Sequence, residues 1–442
     1  MRTSLKRAAW MSLIAFFGIS AAALAPPPAV PQPEFTGRGE DLATLAAAGV
    51  WYCPWAEADA TRDSLFVIGV TESATALLSL PHPIPGEPAD TQQVTFPGPG
   101  ARVVTASDVA LRGAAPAFVE VTKASLGVAA IVENDDILAG EACLAQLPKV
   151  WHLPGGSTME GQRLVLRLFN PFPETARVDV VAVSEFGTEP LPEFAARVVS
   201  GRSWDDIELQ DKLRLRESLS FTITTSEGIV IPALLLGDAS DEATWTGTSL
   251  ATSWEFPVTA ASAGNATITV ANPGPSAAIV EVDVFTPEGP VPGPAPFSLV
   301  GGETLRMPLA GLAEGPLAVR VRADAPIAAV VVNDSADGLA GTVGLDEPAA
   351  TWLLPGAGTT RGVVSVWVLN TGGGNATVTV ADLDGSGHVE KVALPGGSLR
   401  RVTLVDVDFA GLRVDSTRPV TVGWSVSDTE SLMFVGGIPL AG

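Results

Sequence analysis

From residue 50 onward the chain is built of short runs in which apolar and polar residues alternate, the period of a half-buried strand. The clearest run places Val280, Val282 and Val284 on one face and Glu281 and Asp283 on the other, and Val178-Asp-Val180 has the same form. Residues 163–169, Arg-Leu-Val-Leu-Arg-Leu-Phe, predict a further strand. Gly187, Gly289 and Gly385 mark the turns that follow, and glycine-led strands begin at Gly201, Gly301 and Gly396. Each unit is then expected to close in a hairpin, over 118–132, 221–235, 319–332 and 412–426, with Gly127, Pro326 or Pro419 near the turn in three of them. The density is about seven strands per hundred residues, which matches an immunoglobulin-like or fibronectin-like sandwich.

These runs are punctuated by a repeat. Trp51-Tyr-Cys-Pro54, Trp151-His-Leu-Pro154, Trp254-Glu-Phe-Pro257 and Trp352-Leu-Leu-Pro355 follow one another at intervals of 100, 103 and 98 residues. Asn170-Pro171, Asn272-Pro273 and Asn370-Thr371 end β-like runs 19, 18 and 18 residues beyond the last three Trp, whereas the first repeat has Val70-Thr71 there. The predicted fold class is all-β, with four tandem immunoglobulin-like or fibronectin-like sandwiches over 51–150, 151–250, 251–349 and 350–442. A closed four-bladed ring is the rival to a string of sandwiches. Each Trp is expected to plug the end of a sandwich or the joint to its neighbour, its ring buried and its N–H bonded to a carbonyl. Each Asn side chain is expected to bond the backbone that follows it.

The amino terminus changes the picture from architecture to address. Residues 1–25 carry Arg2, Lys6 and Arg7, then an uncharged apolar run ending in Ala21-Ala-Ala-Leu-Ala25, the pattern of an export signal or, if uncut, of a membrane anchor. Residues 26–50 form a proline-rich linker, expected to be a stiff polyproline stalk, with two helical turns over 41–48. The formal charge of −23, more negative still once those three cations are removed, repels phosphate backbones and anionic lipid. No nucleic-acid partner is expected, and a membrane only through an uncleaved N-terminal segment. Cys53 and Cys143 are the two cysteines, and in an exported protein the default is one disulfide, with two free thiols as the alternative.

Candidate chemistry is sparse. His82, His152 and His388 lie outside motif spacing of one another, and no Gly-x-Ser-x-Gly elbow is present, so no catalytic residue, cofactor or metal site is assigned. Asp382-Leu-Asp384-Gly-Ser386-Gly-His388 has the alternating oxygens of a calcium loop, but Ala393 stands where the closing Glu belongs, so it reads as a turn. Acidic clusters recur before each new repeat, at Glu133-Asn-Asp-Asp136, Asp238-Ala-Ser-Asp-Glu242 and Asp334-Ser-Ala-Asp337. They read as solvated loops, with calcium shared between neighbours as the alternative.

The Trp-Tyr-Cys-Pro opening, the Cys before Trp-His-Leu-Pro-Gly-Gly-Ser-Thr158 and the Leu-Phe-Asn-Pro171 and Asn-Pro273 beats resemble an uncharacterised family of exported actinobacterial proteins, a domain of unknown function. The resemblance implies an envelope or extracellular location and supports pairing Cys53 with Cys143, and it supplies no activity. Val70-Thr71 and Asn370-Thr371 depart from the pattern, which leaves the turns of the first and fourth repeats open. The expected function is non-catalytic, that of an exported spacer, scaffold or adhesin whose partner is an envelope protein or glycan. The alternative is an array of carbohydrate-binding modules.

Overall fold

The computed structural model describes residues 49–440, apart from 60, 123–125, 135–136, 239–240, 261–265, 336–337, 359–361, 386, 388, 405–409 and 429–430. The expected export signal, the linker up to residue 48 and the helix over 41–48 lie outside the described residues, as do Asp135, Asp136, Asp337, Ser386 and His388.

The described chain is all-β, and its ladders fall in four blocks, residues 50–142, 150–246, 251–343 and 349–439. In the second block one antiparallel sheet runs Val150–Gly156, Leu219–Glu227, Ala176–Ser184, Gly187–Glu189. The facing sheet runs Ser203–Glu208, Arg163–Asn170, Ile231–Gly237, Glu242–Thr246. The other blocks keep this order. Ala176–Ser184 buries Ala176, Val178, Val180 and Ala182 and turns Asp179 and Val181 outward, as a strand with one wet face must. Ile231–Gly237 is buried at every position, so both of its faces are covered.

The four closing hairpins expected from the sequence are not hairpins. Leu219–Glu227 pairs in one sheet and Ile231–Gly237 in the other, and Ala117–Thr122 and Leu126–Glu133 part in the same way. In the third and fourth blocks the two segments are one continuous strand, Leu317–Ser335 and Gly411–Ser427, which passes from sheet to sheet. Pro326 and Pro419 sit where the strand crosses over, where a missing N–H costs no ladder bond. The true hairpins come next, and the described residues of the acidic clusters flank the links between their strands. Asn134, Asp238 and Asp428 each accept the backbone N–H three residues on, from Ile137, Asp241 and Ser431, at 2.6 to 2.9 Å.

Those hairpins deliver one inner strand per block: Leu138–Ala142, Glu242–Thr246, Gly338–Val343 and Leu432–Gly436. Each packs on the inner strands of both neighbouring blocks, the first against the fourth included, so the blocks close into a ring and do not form a string. Close approach across the joints depends on missing side chains. A Cβ on Gly155 would lie 2.3 Å from Val330, and one on Gly140 would lie 2.6 Å from the Met433 sulfur. Apolar clusters span the joints as well: Trp55 and Val132 meet Val165 and Leu235, and Val258 and Phe285 meet Trp367 and Phe434.

Polar joints are paired. Buried Arg167 holds both oxygens of Asp206 at 2.7 and 2.8 Å, reaches Glu57 at 3.3 Å in the first block, and lies 3.9 Å over the Trp55 ring. Glu242 takes Arg62 with both oxygens, at 2.7 and 2.9 Å. Buried Glu255 accepts the hydroxyls of Thr371 and Thr421 from the fourth block.

Asn170, Asn272 and Asn370 are buried and make one and the same turn. Each carbonyl oxygen accepts the N–H two residues on at 3.1 Å, and each amide donates to the carbonyl four residues on at 2.8 Å. Thr371 in place of proline leaves that turn unchanged, because the Asn makes all of its bonds.

Candidate functional site

The second residue of each Trp-x-x-Pro ties the start of its block to the end. Tyr52, His152 and Glu255 form backbone bridges with Leu144, Thr248 and Leu345, and Leu353 pairs with Ile438. These ties gather residues 141–148, 244–249, 341–346 and 436–439 around one end of the ring axis, where they line a cavity of about 400 Å³ together with Trp51, Trp151 and Trp254.

The four Trp are not equivalent there. Trp151, Trp254 and Trp352 are at most 2% exposed, each lying over a glycine, Gly247, Gly344 and Gly437, where a Cβ would come within 2.9 to 3.1 Å. The matching position of the first block is Cys143, joined to Cys53 in a disulfide. Trp51 is half-buried at the cavity wall, packed in part against Leu353, Leu383 and Ile438 of the fourth block. Trp254 donates its N–H to Ile327 and Trp352 to Val420, at 2.8 and 3.0 Å, while the Trp151 N–H has no partner. Of the motif prolines, Pro154 offers its carbonyl to the Trp245 indole at 3.0 Å, and Pro257 packs by Gly423 in the fourth block. Pro54 is buried directly after the disulfide, and Pro355 ends its strand.

One carboxyl lines the cavity from within. Glu141 is 8% exposed, and neither of its oxygens completes a hydrogen bond, the N–H and hydroxyl of Thr246 only leaning toward it. Burial pushes it up to about 8, against the pull of Thr246. Trp245, Thr342 and Val435 occupy the matching places of the other inner strands, so the fold does not demand an acid there.

The other end of the axis is closed by a second carboxyl. Asp241 accepts the N–H of Glu242 at 2.8 Å, of Leu339 at 2.8 Å and of Leu138 at 3.5 Å, and Leu432 donates as well. Leu138, Glu242 and Leu432 open their inner strands and Leu339 is the second residue of its own, so one side chain ties every block at the axis. Gly338 (φ 126°) leaves the room this requires, since a Cβ would lie 2.7 Å from the Asp241 carboxylate. Burial raises Asp241 to about 7, though the N–H donors hold it down.

The described histidines have structural partners. His152 is buried with Nδ1 3.2 Å from the Thr222 hydroxyl, and burial lowers it to about 4; His82 accepts the Ile84 N–H in its turn. Among the described residues no group of three or more His, Cys, Asp or Glu is placed to hold a metal ion. Sequence reasoning missed Glu141 and passed over Asp241 as one acid of a loop. The signal available for both was an acid in a strand or loop whose counterparts carry none or a different residue.

A pH dependence follows. A carboxyl raised in the folded state stays protonated above its unfolded value, so its favourable contribution is complete below about pH 4 and is lost as the pH rises through 7 and 8. His152 acts oppositely, weakening the fold as the pH falls from about 6.5 toward 4. The melting temperature is expected to fall between pH 6.5 and 8.5. Glu141→Gln should recover about 1 to 2 kcal/mol at the alkaline end and nothing at pH 5. Parallel curves for wild type and variant would refute the assignment.

Residues 136–342 match the family of unknown function DUF5719. The matched stretch runs from the turn before the first inner strand to the third inner strand, and so takes in the second block whole. No curated protein matches the chain. Among solved structures, Thermotoga maritima 1070 is 15% identical, covering 22% of this chain and 96% of its own, with a TM-score of 0.20. A tetra-tandem repeat from the extending region of a large adhesion protein is 11% identical over 84% of this chain and 92% of its own, at 0.11. Streptomyces avermitilis alpha-L-rhamnosidase complexed with L-rhamnose is 10% identical over 80% and 54%, at 0.13. Scores this low carry no argument about the function. Among the described residues no helix is long and apolar enough to cross a membrane.

Proposed function

We propose that this chain is an exported, non-catalytic protein of the cell envelope that acts as a scaffold or adhesin, presenting one axial site to a surface partner. The observation that carries the reading is ring closure: a spacer gains reach from blocks laid end to end, whereas here the first block packs on the fourth. The buried disulfide suits an oxidising compartment outside the cytoplasmic membrane, and the leader-like residues 1–25 and the resemblance to exported actinobacterial proteins point the same way. The strong negative charge disfavours nucleic acid as the partner and leaves an envelope protein or glycan. An array of four carbohydrate platforms is less well supported, because Trp151, Trp254 and Trp352 have no free face to stack on a sugar.

Small-angle scattering of the purified protein tests the reading. A closed ring of this length is expected to give a radius of gyration of about 21 Å, and a string of sandwiches roughly 45 Å. The larger value would remove the scaffold reading and restore the spacer.

A further inference from the structure

We propose that the outer strand of the first block, Asp90–Phe96, is a self-association edge on which a second copy of this chain pairs antiparallel, about a two-fold axis at Gln93. The inference goes beyond the scaffold reading and concerns the first block alone, so it does not depend on ring closure.

In every block the sheet that holds the Trp-x-x-Pro strand ends in an outer strand, which among the described residues is paired on one side only. Such an edge presents unpaired N–H and C=O groups and takes on another strand unless it is blunted. Three blocks blunt it. In the second the outer strand is broken into Gly187–Glu189 and Arg197–Val199, with Pro190 and Pro192 between them. In the third it is broken into Gly289–Val291 and Phe297–Leu299, with Pro292, Pro294 and Pro296 between them. The fourth keeps Val389–Leu394 whole but sets Glu390 and exposed Lys391 in it. Asp90–Phe96 has none of these devices. It contains no Pro, Gly or Lys, and it pairs with Ala74–Leu80 along its whole length without a register shift. Its one charge, Asp90, is taken up by Arg112. An open edge is therefore a property of the first block and not a demand of the fold.

The edge also fits itself. With Gln93 opposite Gln93, Thr91 faces Thr95 and Gln92 faces Val94. Thr91, Gln93 and Thr95 are the exposed face, so hydroxyl meets hydroxyl and amide meets amide across the pair. Asp90 lies opposite Phe96, and the two Asp90 carboxylates stand roughly 20 Å apart, beyond a screening length of about 8 Å. The new ladder adds about six to eight backbone hydrogen bonds.

A second observation lies at the ends of the strand. The link before it, residues 81–89, is exposed from Pro83 to Pro88 and folded on itself. His82 Nδ1 accepts the Ile84 N–H at 3.1 Å, and the Ile84 carbonyl accepts the Glu87 N–H at 3.2 Å, which holds Ile84 60% exposed. In the two-fold register this link in one copy runs beside residues 97–99 of the other, where Pro97 and Pro99 are exposed. Apolar surface is thus offered at both ends of the pair, as an interface made of one patch used twice requires. The net charge of −23 opposes any meeting of copies, so pairing should strengthen as salt is raised.

The test is sedimentation velocity on the purified full-length protein and on two variants at the exposed two-fold position, Gln93→Lys and Gln93→Glu. The wild type is expected to reach twice its 45.4 kDa chain mass, with a dissociation constant at or below roughly 100 µM. Each variant alone places like charges face to face and should pair about tenfold more weakly or worse, with its melting temperature unchanged. An equimolar mixture of the two should pair again, since lysine then faces glutamate. The proposal is overturned if the wild type is monomeric at roughly 100 µM, if masses grow beyond two copies, if Gln93→Lys pairs as the wild type does, or if the mixture fails to restore pairing. Scattering from Gln93→Lys reads the ring free of pairing. A compact profile there with a monomeric wild type sinks the paired edge and leaves the scaffold standing, and an extended profile with charge-swapped pairing intact does the reverse.

Discussion

Replacing Asp241 with alanine is expected to destabilise the ring by about 4 kcal/mol or more. The carboxylate is the shared acceptor for backbone N–H groups of Leu138, Glu242, Leu339 and Leu432, one from each block. A buried N–H left without an acceptor costs about 1 to 3 kcal/mol, and here several are orphaned at once. The loss should appear in urea denaturation as a lower midpoint, accompanied by a smaller slope if the blocks come apart before they unfold. Asp241→Asn keeps one carbonyl oxygen but turns an amide N–H₂ toward donors, so about half of the loss is expected. A change below about 1 kcal/mol for Asp241→Ala would mean that water or a neighbouring carbonyl serves those groups, and the side chain would lose its role as the axial tie.

Removing the disulfide should come close behind. Cys53 and Cys143 are 90 residues apart and both fully buried, and their bond closes the first block from its first strand to the residue after its inner strand. In the chain-entropy view a loop of this length restrains the unfolded chain by about 4 to 5 kcal/mol, an upper value. The double variant Cys53→Ser, Cys143→Ser is expected to lose most of that in urea. Reductant added to the folded wild type should act slowly, because the sulfurs are reached only when the block opens. Fast reduction of the native protein would contradict that burial. A Cys53→Ser, Cys143→Gly variant carries a second readout. With neither sulfur nor Cβ at position 143, Trp51 gains the room its counterparts have over Gly247, Gly344 and Gly437, so its emission should shift to the blue.

Both results turn on features the sequence displays but does not rank. Two-residue alternation identifies Ala176–Ser184 and Ala278–Thr286 as one-sided strands, because the choice between faces is made locally by each residue. The Trp-x-x-Pro interval gives the four blocks the same starting point, and Asn170, Asn272 and Asn370 announce their turns because each side chain satisfies its own neighbourhood. The cysteine pair was legible for the same arithmetic reason: there are only two.

The hairpin error has a definite cause. Apolar segments on either side of a Gly or Pro look alike whether the chain reverses or crosses to the facing sheet, and only the sheet partners of Leu317–Ser335 and Gly411–Ser427 decide between them. A clue to ring closure was nevertheless present. Leu126–Glu133 and Ile231–Gly237 are apolar without alternation, which calls for cover on two faces when a single sandwich supplies one.

Local composition by itself therefore determined the β class, the period of the blocks and the Asn turns, since each depends on contacts within a strand or between near neighbours, and with only two cysteines a single pairing was available. Tertiary structure alone decided that the blocks close on themselves, that Asp241 and not another acid of the like loops lies on the axis, and that Glu141 and Trp51 meet at one cavity. The reason is physical. An apolar side chain gains the same free energy from its own sandwich as from the next, and a carboxylate is held wherever N–H groups converge, so these choices follow from where four distant segments come together.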